Sequence, residues 1–323
     1  METQQEIKEG NRKSRVSIHK DKPKDSKHKR EGELYRVTTL KELGSNLPIP
    51  IMLQDGTILQ DRSFSFLEWD MDMEEILSKA KAKAKTVGLF INDMMGNILD
   101  DLCGQSFQDL SEGERALKVN QMEFSNIMYM YIYLRVEELG STIRMDVGCP
   151  SCGQLNKDWR GDLNDLEVRV KDAPTLAVEG KDGKKETEAT KGHSRTCEYE
   201  LRKPLLMEDK KIITGLKLNI GKWDSMEKAD AEVAKNPAKM KRLLFESAIV
   251  GVSEKDKPVE GFYDIEQVIR KLKKVDIEMC MTEMVENNAG PIMAIQGECV
   301  HCGTEWYKEL DWSYDYFLDS SSL

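Results

Sequence analysis

The stretch "GCPSCGQLNKDW", residues 148–159, constrains this chain more than any other, because Cys149 and Cys152 supply only half of a metal site. A second pair stands far downstream in "GECVHCGTEW", with Cys299 and Cys302 at the same spacing and a glycine again directly after. Tetrahedral zinc takes four ligands, and a lone CxxC leaves the ion two short. Gly153 and Gly303 each permit a positive φ, so the backbone can fold back and direct amides at thiolate sulfur. The spacing therefore predicts one closed structural site built from Cys149, Cys152, Cys299 and Cys302, with one zinc ion clamping two distant parts of the chain. Three alternatives stay open on the residues alone: a redox-active Cys-Pro-x-Cys, four buried thiols, and half-sites closed across two chains. His301, inside the second pair, is a possible replacement ligand, with a plain knuckle residue the favoured reading. Cys103, Cys197 and Cys280 read as small buried hydrophobes.

The segments leading into the two pairs run in parallel. "FSFLEWDMDMEEILSKAKAK" from Phe64 and "LKLNIGKWDSMEKADAEVAK" from Leu216 both show period-two alternation into Trp-Asp, then a charged, Ala-rich helical stretch. Trp69 and Trp223 read as core anchors at that junction. The apolar pieces "VGLFINDMM" and "KRLLFESAIVGV" follow and read as helical. Next come helix starts at Ser111 with Glu114 and at Asp264 with Gln267, the capping-box spacing. A further helix follows each, "MEFSNIMYMYIYLRVEELG" and "VDIEMCMTEMVENNAG", and then a strand, a CxxC and a returning strand. The ordered set predicts an internal duplication. The expected fold is α+β, each repeat a small antiparallel sheet with helices, the two joined by a zinc-ribbon-like four-cysteine site. Its parts are a disordered basic arm over 1–33, a first repeat over 34–175, a flexible linker over 176–196 and a second repeat over 197–323.

Composition narrows the function. The chain carries a net charge of −10 and seven cysteines, an odd number, which argues against a disulfide framework. The longest apolar run, Ile127 to Leu134, is too short for a bilayer that needs about 20 residues; on a helix it is apolar nearly all round and predicts a centrally buried one. The polar opening has no apolar signal region, so a reducing, cytoplasmic compartment is expected. Of four histidines, His19 and His28 lie in the arm, His193 in the linker and His301 in the second knuckle. Histidine-based catalysis has no obvious seat, and no nucleotide-binding loop, HExxH or GxSxG pattern occurs. A non-enzymatic protein without a small-molecule substrate is expected. The arm could serve nucleic acid, but the body after residue 33 is strongly acidic, and neutralising phosphates needs a basic face.

The twin knuckles "CPSCG" and "CVHCG", the Trp-Asp strand exits and the ending "ELDWSYDYF" together resemble the baseplate hub assembly family of contractile-tailed, T-even-type bacteriophages. The likeness spans roughly residues 35–318 and leaves out the arm and the long polar linker. It implies a tail baseplate component or assembly factor acting through contacts with other phage tail proteins. Its expected place is the host cytoplasm during assembly, or the tail baseplate of the virion. On that reading Trp312, Tyr316 and Phe317 are partner-binding residues, unless they cap the protein's own zinc-bound sheet. The alternative function is a zinc-ribbon nucleic-acid-binding protein.

Overall fold

The computed structural model describes residues 35–51, 58–84, 86–171, 196–208, 210–219, 236–254, 257–259 and 265–310. The N-terminal arm, nearly all of the linker, Trp223, Asp264 and the aromatic ending with Trp312, Tyr316 and Phe317 lie outside the described residues. Within them the chain mixes helices with small antiparallel sheets.

The first part opens with β1 (Arg36–Thr39), α1 (Leu40–Leu43) and β2 (Phe64–Phe66). Then come α2 (Met71–Lys83), α3 (Val87–Ile98), β3 (Leu99–Leu102), β4 (Gln105–Ser106), α4 (Glu112–Gln121) and α5 (Phe124–Leu139). The hairpin β5 (Thr142–Gly148) and β6 (Leu155–Asp162) follows, and a 3-10 turn leads to β7 (Glu167–Val170). The second part opens with β8 (Thr196–Leu206) and β9 (Ile212–Asn219). It continues through α6 (Pro237–Ala248), β10 (Ile249–Glu254), β11 (Lys257–Val259), α7 (Ile265–Lys271) and α8 (Lys274–Asn287). It closes with β12 (Gly290–Pro291) and the hairpin β13 (Ala294–Glu298) and β14 (Glu305–Glu309).

Two runs share one order. In each, a helix passes straight into a strand, Ile98 to Leu99 and Ala248 to Ile249. That strand pairs antiparallel with the one that opened the run, β3 with β2 and β10 with β9, and with the next, β4 or β11. Two helices and a CxxC hairpin follow both times. Ser111 forms the expected capping box: its hydroxyl accepts from the Glu114 amide, and Glu114 accepts from the Ser111 amide.

One expectation needs correcting. The piece "KRLLFESAIVGV" is helical only to Ala248; Ile249, Val250 and Val252 are β-branched and lie along Leu218 and Leu216 of β9, so the sheet takes them. The alternation from Phe64 gives β2 as expected, and Trp69 packs half-buried against the first core at the strand-to-helix junction. Its indole N–H donates to Glu74 Oε1 at 2.9 Å across the start of α2.

The first core gathers around α5, whose Ile127 to Ile132 are all nearly inaccessible, as an all-round apolar helix demands. Phe64 sets its ring edge-on to Tyr129 and Tyr133, and the Tyr129 hydroxyl donates to Gly44 O at 2.6 Å. This core also takes in Ile295, Cys299, Trp306 and Leu310 from the last hairpin. A second core, with Tyr199, Leu216, Leu218, Phe245, Val268 and Cys280, fills the space between the β8–β11 sheet and its helices. The two parts also meet in one sheet of order β1-β7-β12, where Gly290 and Pro291 pair with Arg169 and Val168. Gly290 has φ +119° and lies so close to α5 that a Cβ there would sit 2.5 Å from Ser125 Cβ. Only glycine fits that approach.

Candidate metal centre

Each knuckle is a turn closed by backbone bonds. Cys149 N–H donates to Gln154 O at 2.8 Å and Gly153 N–H returns to Cys149 O at 3.0 Å. The second knuckle repeats this, with Cys299 to Thr304 at 3.0 Å and Gly303 to Cys299 at 2.8 Å. Gly153 and Gly303 have φ of 72° and 68°, the left-handed turn expected after each pair. The turn brings backbone amides to sulfur: Ser151 N–H points at Cys149 Sγ from 3.4 Å.

The two hairpins put all four cysteines in one place. The sulfurs of Cys149, Cys152, Cys299 and Cys302 lie within 4.8 Å of one another. Cys149 Sγ is 3.7 Å from Cys302 Sγ and Cys152 Sγ is 3.8 Å from Cys299 Sγ, so the nearest recorded pairs run between knuckles. A tetrahedron with metal–sulfur bonds of about 2.3 Å has edges of about 3.8 Å, so the donor set fits a four-thiolate ion. These separations are far beyond a disulfide bond of about 2.05 Å. Cys149 and Cys299 are buried, whereas Cys152 and Cys302 face outward.

The thiols do not ionise alike. Burial opposes ionisation of Cys299, but the amides of His301 and Cys302 and the Cys149 and Cys302 thiols outweigh it and bring Cys299 down to about 6. The Thr304 hydroxyl, 3.3 Å from Cys302 Sγ, and the Thr304 amide hold the Cys302 thiol down. The Gln154 amide pulls Cys152 the same way, yet burial and the three surrounding sulfurs outweigh it and push Cys152 up to about 12. Such a cluster needs a cation before its members can be thiolates together.

Further contacts fasten hairpin to hairpin. Val300 N–H donates to Asn156 Oδ1 at 3.0 Å, and Asn156 Nδ2 donates to Val147 O at 3.0 Å. Trp159 and Trp306 meet edge-to-face with centroids 5.0 Å apart. His301 Nε2 lies 3.4 Å from Leu155 O, where an Nε2–H donates, and the ring is not one of the cluster's ligands. Sequence reasoning passed over Asn156, which has no motif of its own; a buried amide four residues after a metal-type cysteine is the only signal it leaves.

Of the other cysteines, Cys280 is fully buried as expected. Cys103 is instead half-buried in the β3–β4 turn, with φ 57° followed by Gly104 at φ 72°. Two successive positive-φ residues make the tight hairpin turn that matches strand twist, which is why this thiol stands at a turn and not in the core. The Cys197 side chain lies outside the described residues. Among the described residues no helix is long and apolar enough to cross a membrane. Comparison with protein-family models, with curated proteins and with solved structures finds no match to this chain.

Proposed function

We propose that this chain is a non-enzymatic baseplate component or assembly factor of a contractile phage tail, held in shape by one structural zinc ion. The observation that carries the zinc reading is the four-sulfur cluster, with cross-knuckle separations of 3.7 and 3.8 Å. Bound there, zinc would neutralise the thiolates and leave no open coordination position for substrate, which fits a staple. The phage reading rests on the resemblance of the knuckles and the aromatic ending. The shared order of β2 to β6 and β9 to β14 supports origin by duplication, with zinc joining the ends of the two repeats in the manner of a zinc ribbon. Partners would be other tail proteins, with Trp312, Tyr316 and Phe317 as their contact.

Purified full-length protein should hold one zinc per chain and remain monomeric when the metal is chelated. Cys302→Ser should lose zinc as completely as Cys149→Ser, although the two stand in different hairpins. An oligomer that dissociates on chelation would overturn the single-site reading. For the assembly role, Trp312→Ala with Phe317→Ala should abolish capture of the tail proteins encoded beside this chain while melting changes little. A large drop in melting temperature with capture retained would assign these residues to the protein's own sheet.

A further inference from the structure

Counted from its first cysteine, each hairpin presents the same positions. Pro150 and Val300 come next in line, and Asn156 and Trp306 stand at matching places in the returning strands. Both of those side chains are buried, Asn156 at 2% and Trp306 at 1% exposure. In one direction a bond forms between the hairpins, from Val300 N–H to Asn156 Oδ1. The mirrored bond, from residue 150 to the side chain of residue 306, is chemically barred. Proline has no N–H to give and an indole has no acceptor to offer. Among the described residues Trp306 Nε1 has no hydrogen-bond partner.

We infer that Asn156 is a positioning residue for the metal centre, and that with Val300, Pro150 and Trp306 it makes the first knuckle close on the second instead of on a copy of itself. Two first knuckles from different chains would set Asn156 against Pro150, leaving its buried oxygen without a donor. Two second knuckles would set the Val300 amide against an indole, leaving the amide without an acceptor. Only the unlike pair satisfies both groups, and unsatisfied buried groups are what such discrimination works through. Asn156 also holds Val147 O, in the strand that delivers Cys149, so one amide ties the strands of the first hairpin to each other and to the second knuckle. The inference rests on the metal reading of the four cysteines.

The test uses full-length, reduced, metal-free protein titrated with Co²⁺ and then Zn²⁺ in competition with a chelating dye. The variants are Asn156→Ala, Val300→Pro and the double. Val300→Pro removes one N–H, and Pro150 shows that this turn accepts proline. Wild type should bind one Co²⁺ with the intense absorption of tetrahedral thiolate ligation; absence of that spectrum overturns the metal reading itself. Each single variant should keep the spectrum but bind Zn²⁺ about 10- to 100-fold more weakly, the range for lost outer-shell partners. The double should be no weaker than the weaker single, because both remove the same bond. Light scattering should also detect metal-dependent dimers in the variants and not in wild type. Unchanged affinity in Asn156→Ala, or losses that multiply in the double, would overturn the role given to Asn156. Should Val300→Pro fail to fold by circular dichroism, the Asn156→Ala affinity decides alone.

Discussion

Asn126 offers the sharpest test of how the first core is held. It stands in the first turn of α5 with no solvent exposure, and its amide acts as a strand edge for the chain at Ile49. Ile49 N–H donates to Asn126 Oδ1 at 3.1 Å, and Asn126 Nδ2 donates to Ile49 O at 2.9 Å. Ile49 is itself only 2% exposed, so water cannot replace either bond without the segment moving. Asn126→Ala strands one buried donor and one buried acceptor, each costing about 1–3 kcal/mol. Partial relaxation places the loss at roughly 2–5 kcal/mol. Denaturant titration would read it as a lower midpoint with unchanged slope, and hydrogen exchange would show the Ile49 amide losing protection. Asn97→Ala is the control, since its side chain makes one exposed bond to Asp93 O within α3 and should cost about 0.5 kcal/mol or less. A loss for Asn126→Ala no greater than the control's would refute the pinning of Ile49 to α5.

Four further outcomes are expected. Gly290→Ala should cost roughly 2–4 kcal/mol, because the new Cβ meets Ser125 at 2.5 Å in a left-handed backbone; a melting temperature within a degree of wild type would contradict the packing of β12 on α5. Burial, with Asp61 and Asp101 adding to it, raises the Cys103 thiol from 9.0 to about 12, so iodoacetamide at pH 8 should modify it about a thousandfold more slowly than an unperturbed thiol. Because the folded value lies above the unfolded one, Cys103 supports folding fully below about pH 9 and loses that support as pH climbs toward 12; stability that rises over that window on this residue's account would contradict the assignment. Trp306→Phe deletes an N–H that has no partner among the described residues and should cost about 1 kcal/mol or less, whereas Trp306→Ala should cost roughly 3–5 kcal/mol, a contrast that thermal melts of the two variants read directly.

What the sequence made legible follows from how each feature is encoded. The cysteine cluster was readable because metal-ligand spacing and a turn glycine are local, and because the same spacing recurs in both pairs. The capping box at Ser111 and the buried run of α5 were readable for the same reason. Sheet membership was harder. Ile249 to Val252 are apolar in a continuous run, and only the presence of Leu216 and Leu218 beside them makes the run a strand. The pairing of β12 with β7 was invisible, since Gly290 and Pro291 carry no alternation and their partner stands far back in the chain. Asn126 and Asn156 were invisible too, because a buried asparagine acquires its role from the backbone groups it meets.

The matched tryptophans show where parallel reading misleads. Trp159 and Trp306 each follow a CxxC in the returning strand. In register they differ: Trp306 faces Gly297 in its hairpin, whereas Trp159 faces Met145, and the position matching Trp306 is Asn156. Each ring lies over a glycine, Gly297 for Trp306 and Gly161 for Trp159, that leaves room for it. On the proposed duplication this divergence has a cause. Two copies that never touch can keep the same residues, but copies that meet at one ion must fit each other, and a surface identical on both sides would also fit another chain. Unlike positions at the meeting points, the Asn156 amide facing the Val300 N–H and two indoles from non-equivalent registers, favour the internal pairing. On the metal reading the four cysteines must stay alike, because a bound ion would ask the same of both knuckles. On that reading, likeness of the four cysteines and divergence around them are two results of one requirement, that the two ends of a single chain close on each other.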